Sequence, residues 1–530
     1  MYNKQAIAEG RTALGIELGT TRIKAVLLNH ERQTLASGQH TWENRYENGI
    51  WTYSLDEIWA GVRACYAALK EDVRQKYGVT LIGIDAIGIS AMMHGYMVFD
   101  RNGELLAPFR TWRNNNAEFA AAEITKLFYY NIPARWSIAH LYQSILNKEP
   151  HVADIAFQTT LEGYIHWKLT EKKVIGIGEA SGMFPLDYEN KTYNRRMTEL
   201  FDSLPAVKEQ PWKLLDIFPA ILKAGDFAGN LTKEGAKLLD LDGDLKAGVP
   251  FCPPEGDAGT GMVATNSVRR GTGNVSAGTS IFGMFVLDKE LSEVHREIDI
   301  VATPCGESVA MVHCNNCTSE INAWVDIFGE FAAMAGRNLG RGEIFDKLLL
   351  HALKGDADCG GVLAYNYLSG ENITAIEEGR PLLVRTTESK FNLANFVRAQ
   401  LFASVATFKI GFDILLREGI TVGSVCGHGG IFKTEGVFQR FLAAALGAPV
   451  TVAETANEGG AYGMAVLALY MLQNQGLPLA DYLEQKVFAG VNVKTVTPDK
   501  KDTKGFARYM DNYIRGLPIV KEAVKVLKNE

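Results

Sequence analysis

The tightest constraint on this chain is a pattern that occurs twice: a run of β-forming residues, a Gly-Thr turn, and a second β-forming run. Near the start, Thr12 to Glu17 leads into Gly19, Thr20 and Thr21, and Ile23 to Leu28 follows, which predicts a β-hairpin. A third strand is expected over Thr34 to His40. Ser54-Leu55-Asp56-Glu57 then has the form of a capping box, and Leu55, Ile58, Trp59, Val62, Tyr66, Leu69 and Val73 recur at helical spacing behind it. Leu81 to Ser90 reads as a buried strand, so the predicted order is β-β-β-α-β. In the second half Gly256 to Ser280 is rich in Gly, Thr and Ser, and its GTGNVSAGTS repeats the character of the opening hairpin, as though the same architecture began again. Helices are expected at Leu161 to Leu169, Phe396 to Glu418 and Ala461 to Leu472. A β-type run ending in Cys426-Gly427-His428-Gly429-Gly430 separates the last two.

At 530 residues the chain exceeds what one hydrophobic core usually fills, roughly 250 to 300 residues, so two domains with a cleft between them are expected. The boundary is placed near residue 266, to within about ten residues, giving 1–266 and 267–530. Apolar residues make up 47% and charged residues 22%, and no apolar run approaches the roughly 20 residues that span a bilayer, which predicts a soluble protein without a membrane partner. The start, MYNKQAIAEGRTALGIELG, lacks the features of a signal peptide, which points to the cytoplasm. Seven cysteines, an odd number, suit reduced thiols, and the single CxxC of Cys314 and Cys317 reads as a structural pair. A formal charge of −7 without a dense Lys/Arg block argues against a nucleic-acid partner, so any phosphate must be held by a local site.

The opening hairpin has the chemistry for that site. Gly19 lets the backbone turn tightly, and the turn's N–H groups and the Thr20 and Thr21 hydroxyls can donate to phosphate oxygens. Lys24 adds a positive charge, and Glu17, at the end of the first strand, can hold Mg²⁺ through water. The same residues also suit an ordinary hairpin with solvated threonines. Neither GxxxxGK[ST] nor a GxGxxG between strand and helix is present, which leaves phosphate binding by a hairpin. The second turn, Gly278-Thr279-Ser280, would let two hairpins hold a triphosphate from both sides of the cleft.

The opening motif, Met93-His94-Gly95, Gly256-Asp257, Gly278-Thr279-Ser280, Gly370-Glu371, Gly429-Gly430 and a closing Gly-Ala-Tyr-Gly helix follow one another in a set order. In order and spacing this set resembles the FGGY carbohydrate kinases, over nearly the whole chain. The resemblance implies an α/β protein of two ribonuclease-H-like, actin-like ATPase domains flanking a catalytic cleft, the first mainly for sugar and the second mainly for ATP. It implies that Asp257 is the catalytic base and lies near Mg²⁺, that Met93 and His94 contact sugar, and that adenosine lies over Gly429 and Gly430.

This chain departs from the pattern in several places. Glu17 stands where such kinases usually carry Asp, Met92 where xylulokinases often carry Gln, and Ile431 where a third glycine is usual. Trp112-Arg113-Asn114-Asn115-Asn116 aligns with a Trp-Asn-Asp-x-Arg stretch but lacks its acid and its Arg. Trp112 and Asn114 are candidate sugar contacts, and a plain polar loop is the alternative. Gly370-Glu371-Asn372 replaces Gly-Glu-Arg and reads as structural. The expected activity is ATP-dependent, Mg²⁺-assisted phosphorylation of a sugar, with a pentulose such as xylulose or ribulose favoured by the Met93-His94-Gly95 segment. Another ketose, a deoxy sugar, a sugar acid or glycerol is the alternative within the fold, and an actin- or Hsp70-like ATPase or a non-catalytic sugar sensor the alternative class. A homodimer fits the resembled family, although no interface is marked in this sequence.

Overall fold

The structure is a computed structural model, and it describes residues 2–453 and 459–528. Two compact units divide the chain. The first comprises Met1–Val268, Asp299–Val309 and Glu458–Gly490, and the second Arg269–Ile298, Ala310–Asn457 and Val491–Glu530.

In the first unit, β1 (Thr12–Leu18) pairs antiparallel with β2 (Arg22–Asn29), and β2 with β3 (Thr34–Thr41). Helix α1 (Leu55–Tyr77) carries the chain over, and β4 (Ala86–Ala91) lies parallel to β1 on its other edge. The capping box forms as read: the Ser54 hydroxyl accepts from the Glu57 N–H at 3.2 Å, and the Glu57 carboxylate accepts from the Ser54 N–H at 3.0 Å. The α1 stripe from Ile58 to Val73 is buried with the sheet residues Leu14, Ile16, Ile23 and Leu27 in one core. β4 is shorter than expected, because Leu81 and Ile84 are buried without strand pairing. Beyond it come α2 (Leu161–Thr170), α3 (Ile177–Met183), the short β5 (Glu255–Gly256) and α4 (Asp257–Ala264), and the sheet runs β5-β4-β1-β2-β3.

The second unit repeats the plan. β6 (Thr272–Ala277) and β7 (Ile281–Val286) form an antiparallel hairpin, and β8 (Ser308–Cys314), which lies in this unit from Ala310 on, follows. After the 25-residue helix α5 (Leu393–Arg417), β9 (Ser424–His428) runs parallel to β6 and β10 (Val450–Ala453) parallel to β9. With β11 (Val493–Val496), these six of the sheet's seven strands run in the order β8-β7-β6-β9-β10-β11, so β6 takes the place that β1 has in the first unit. α5, expected from the sequence as a helix over Phe396 to Glu418, is long and apolar enough to cross a membrane by length and composition. Its apolar window is 78% buried inside the protein, as befits a core helix.

The long segment of the first unit ends at Val268, beside the expected boundary near 266, but the compact units are not contiguous halves. Two later segments return to the first unit, and the second of them carries α6 (Gly459–Gln473), the Gly-Ala-Tyr-Gly helix. The reason is close packing onto the first sheet: a Cβ at Gly15 of β1 would lie 2.1 Å from the Ala461 carbonyl, and one at Gly463 would lie 2.0 Å from that of Thr260 in α4. The other returning segment brings Asp299, which pairs with Arg135 and accepts from Asn131 at 3.2 Å.

Candidate active site

The turn between β1 and β2 is closed by the Gly19 N–H, which donates to the Arg22 carbonyl at 3.0 Å. Its outer carbonyls are tied back by aromatic donors. The Trp42 indole N–H donates to the Gly19 carbonyl at 2.8 Å, and the Tyr53 hydroxyl donates to that of Thr20. Trp42 and Tyr53 stack with centroids 4.1 Å apart, so the two donors hold each other in place. A trans peptide points its N–H opposite its C=O, so with both carbonyls drawn inward the N–H groups of Thr20 and Thr21 face the other way. Such an arrangement of successive N–H groups suits an anion.

Asp257 opens α4, directly after the last strand of the sheet. Its Oδ1 accepts from the Met93 N–H at 3.1 Å, and the next N–H, that of His94, donates to Glu179 Oε1 at 2.8 Å. His94 has a φ of 72° and Gly95 one of 117°, so the chain turns sharply after β4 and presents two consecutive N–H groups to two carboxyl groups. A Cβ at Gly256 would lie 2.4 Å from Glu179 Oε2, so a side chain there would push the Glu179 carboxyl group aside. Glu162, Glu179 and Glu255 are all fully or almost fully buried in this region. Burial pushes Glu162 and Glu255 up to about 8, and burial with the neighbouring Glu162 charge holds Glu179 well above the usual carboxyl range. Asp257 is only half-buried, and burial raises it to about 6. It is therefore the first of these acids to ionise as the pH rises, the property that separates a base from acids kept neutral.

Glu17 lies on β1 opposite Lys24 of β2. Burial and the Asp257 charge push it up to about 7, against the opposing pull of Lys24 and of hydrogen bonds from the backbone of Ala461 and Gly460. The longer arm of Glu, compared with the Asp usual in the resembled kinases, thus reaches the first turn of α6, where N–H groups are unpaired within the helix. A Cβ on Gly460 would come within 2.3 Å of Glu17 Oε1, so a side chain there would displace the Glu17 carboxylate. Two carboxylates near enough for one to raise the other's pKa fit a Mg²⁺ ion, which takes one or two carboxylates and keeps several waters. Among the described residues no cluster of three or more His, Cys, Asp or Glu side chains suits a metal.

In the second unit, the turn Gly278-Thr279-Ser280 joins β6 to β7, and Gly429 follows β9. β6 and β9 are parallel, with Ser276 opposite His428, so both segments leave the same end of the sheet. A Cβ on Gly429 (φ 112°) would strike the Ala277 carbonyl at 2.2 Å, whereas one on Gly430 would meet nothing within 4 Å. Gly429 is thus needed for packing, and Gly430 leaves an open face. Ile431 is buried, so the position of the expected third glycine points inward.

Some expected residues have different tasks. Asn114 is buried with its amide committed: Oδ1 accepts from the Trp51 N–H, and Nδ2 donates to the Trp51 and Thr111 carbonyls, each at 2.9 Å. It fixes a strand and does not present the amide that a sugar would need. The Trp112 indole N–H donates to Thr20 Oγ1 at 3.1 Å, so this residue orients the Thr20 hydroxyl of the β1–β2 turn. His94 is buried with Nδ1 3.2 Å from the Gly182 carbonyl and its ring stacked on Trp136. Burial keeps the ring neutral, and Nδ1 beside a carbonyl must carry the proton, which makes Nε2 the acceptor. Sequence reading missed Trp42, Tyr53 and Glu179, because their roles depend on contacts far apart in the chain.

Comparison with known proteins agrees with this architecture. Residues 12–264 match the FGGY family of carbohydrate kinases, N-terminal domain, and residues 273–472 its C-terminal domain. A xylulose kinase from Staphylococcus epidermidis is 21% identical over 513 residues, covering 94% of this chain and 95% of its own. A solved ligand-bound xylulose kinase from Lactobacillus acidophilus has a TM-score of 0.78 at 15% identity, over 98% of this chain and 100% of that one. A gluconate kinase from Lactobacillus acidophilus has a TM-score of 0.76 at 16% identity, over 96% and 99%. At such identities the structural likeness shows the fold.

Proposed function

The chain belongs to the FGGY family of carbohydrate kinases, and from that premise we propose that it phosphorylates a pentulose, xylulose- or ribulose-like, at its 5-hydroxyl, with Asp257 as base. It is an ATP-dependent sugar phosphotransferase. The observation that carries the assignment of the base is the half-buried Asp257 carboxylate, held by the Met93 N–H among acids that stay neutral.

With Oδ1 engaged by Met93, Oδ2 takes the hydroxyl proton as the sugar oxygen attacks the γ-phosphorus. The bond from phosphorus to the β–γ bridging oxygen breaks, and ADP leaves. His94 Nε2, as an acceptor, and Met93 orient the sugar. Gly278, Thr279, Ser280, Gly429 and Gly430 hold ATP, with Gly19, Thr20, Thr21 and Lys24 contributing to its phosphates. Glu17, through water, and Asp257 would hold Mg²⁺, which would supply positive charge against the phosphates. Most of the rate then comes from positioning and charge stabilisation. The seven free thiols and the need for ATP suit the cytoplasm.

The test is ADP release with MgATP across pentuloses, hexuloses, deoxy sugars, gluconate and other sugar acids, and glycerol, beside Asp257→Asn. A pentulose should drive turnover, and the variant should lose about two to four orders of magnitude in kcat, the usual worth of a general base. Turnover with a sugar acid or glycerol alone would move the substrate. Sugar-independent ADP release, or an Asp257→Asn variant as fast as wild type, would remove the assignment of the base.

A further inference from the structure

The Cys314-Asn315-Asn316-Cys317 motif has no part in the chemistry above, yet its backbone leads straight to the second Gly-Thr turn. Both thiols are free and buried, and burial raises both well beyond the ordinary thiol range, which makes them poor nucleophiles and poor metal ligands. Their segment acts through its main chain and its asparagine.

The Cys317 N–H donates to the Thr279 carbonyl at 2.9 Å, and Thr318 donates to the Gly278 carbonyl twice, from its N–H at 3.0 Å and its hydroxyl at 2.7 Å. Both outer carbonyls of the turn are therefore drawn toward this segment, and planar trans peptides then aim the N–H groups of Thr279 and Ser280 away from it. The segment itself is anchored from behind. The Cys317 carbonyl accepts from Asn366 Nδ2 and from the Ser404 hydroxyl of α5, each at 3.0 Å. Asn316 Oδ1 accepts the N–H groups of Leu368 and Ser369 at 2.9 and 3.0 Å, and its Nδ2 donates to Glu371 Oε2 at 3.2 Å. The Gly370-Glu371 motif and the CxxC motif thus meet in one support behind the turn. The first unit applies the same device to Gly19 and Thr20, with Trp42 and Tyr53 as donors, so two unrelated sets of residues do the same work on two equivalent turns.

We infer that Asn316 and Thr318 are positioning residues for the phosphates of the nucleotide, acting by holding the Gly278-Thr279-Ser280 turn with its N–H groups outward. This rests on the reading that the turn binds those phosphates. Neither residue touches the ligand, and the thiols take no part.

The experiment measures the affinity of the full-length protein for MgADP and for adenosine by calorimetry, and KM for ATP and for the sugar, in wild type, Asn316→Ala, Thr318→Val and Thr318→Ser. Loss of one or two hydrogen bonds from the support should weaken MgADP binding and raise KM for ATP by about five- to tenfold in Asn316→Ala and Thr318→Val. Adenosine affinity and KM for the sugar should stay near wild type, and Thr318→Ser, which keeps the hydroxyl, should restore MgADP binding. Equal losses for adenosine and MgADP would mean general damage to the unit and overturn the inference. MgADP binding as tight as wild type in Thr318→Val would overturn it too, and that variant covers the case in which Asn316→Ala fails to fold. A wild type that binds no MgADP would instead remove the functional reading on which the inference stands.

Discussion

Asp257 and Glu162 are acids in one unit with opposite fates, and access to solvent separates them. Asp257 is half-buried and raised to about 6, while Glu162 is wholly buried, raised to about 8, and has one oxygen without a hydrogen-bond partner. A folded-state pKa above the unfolded value means that folding takes up a proton. The stability contributed by Glu162 is therefore complete below its unfolded value of 4.5 and is lost as the pH rises through about 8. Glu162→Gln, neutral at every pH, should match wild type in melting temperature at pH 5 and exceed it at pH 9. A melting-temperature gap that does not widen between those values would contradict this. Asp257 stood out in the sequence as the candidate base because Gly256-Asp257 takes its place in an ordered set of motifs. Asn114 was left open between a sugar contact and a plain loop, because a loop asparagine looks the same whether its amide is free or committed to Trp51.

At the scale of the element, α4 carries Asp257 on its first turn and lies against α6, and its two faces respond oppositely to added bulk. Gly463 of α6 meets the Thr260 carbonyl so closely that Gly463→Val must push the helices apart, at a cost of about 1–3 kcal/mol or more, with loss of activity as Asp257 moves. Gly261, on α4 itself, faces open space, so Gly261→Ala should stabilise by about 0.5–1 kcal/mol through helix propensity and leave activity intact. Chemical denaturation of both variants, with the kinase assay alongside, tests the pair, and two shifts of the same sign would refute it. The elements themselves were largely legible. Alternation of apolar residues, the Ser54 capping box and the Gly-Thr turns are local signals, and the hairpins and α1 formed where those signals lie. Strand β4 came out shorter because burial of Leu81 and Ile84 gives the same apolar pattern without pairing.

For the whole molecule, the two units are not two consecutive stretches of chain, and this has a measurable consequence. A chain ending at residue 268 lacks α6, which covers β1 and supplies backbone hydrogen bonds to Glu17, so it should show no cooperative thermal transition. Joining residues 459–490 to it through a flexible linker should restore one. A cooperative transition from residues 1–268 alone would show that α6 is dispensable to the core. The sequence by itself determined the α/β class, the doubled β-β-β-α-β plan and the family, and it singled out Asp257 as the candidate base, because each rests on residues adjacent in the chain or ordered along it. Only the tertiary structure decided where α6 belongs, what Asn114, Trp112 and the CxxC segment do, and which of several buried acids ionises first. Those outcomes depend on close approach, burial and hydrogen bonds between residues far apart in sequence, where one glycine without a Cβ or one carbonyl turned inward sets the result.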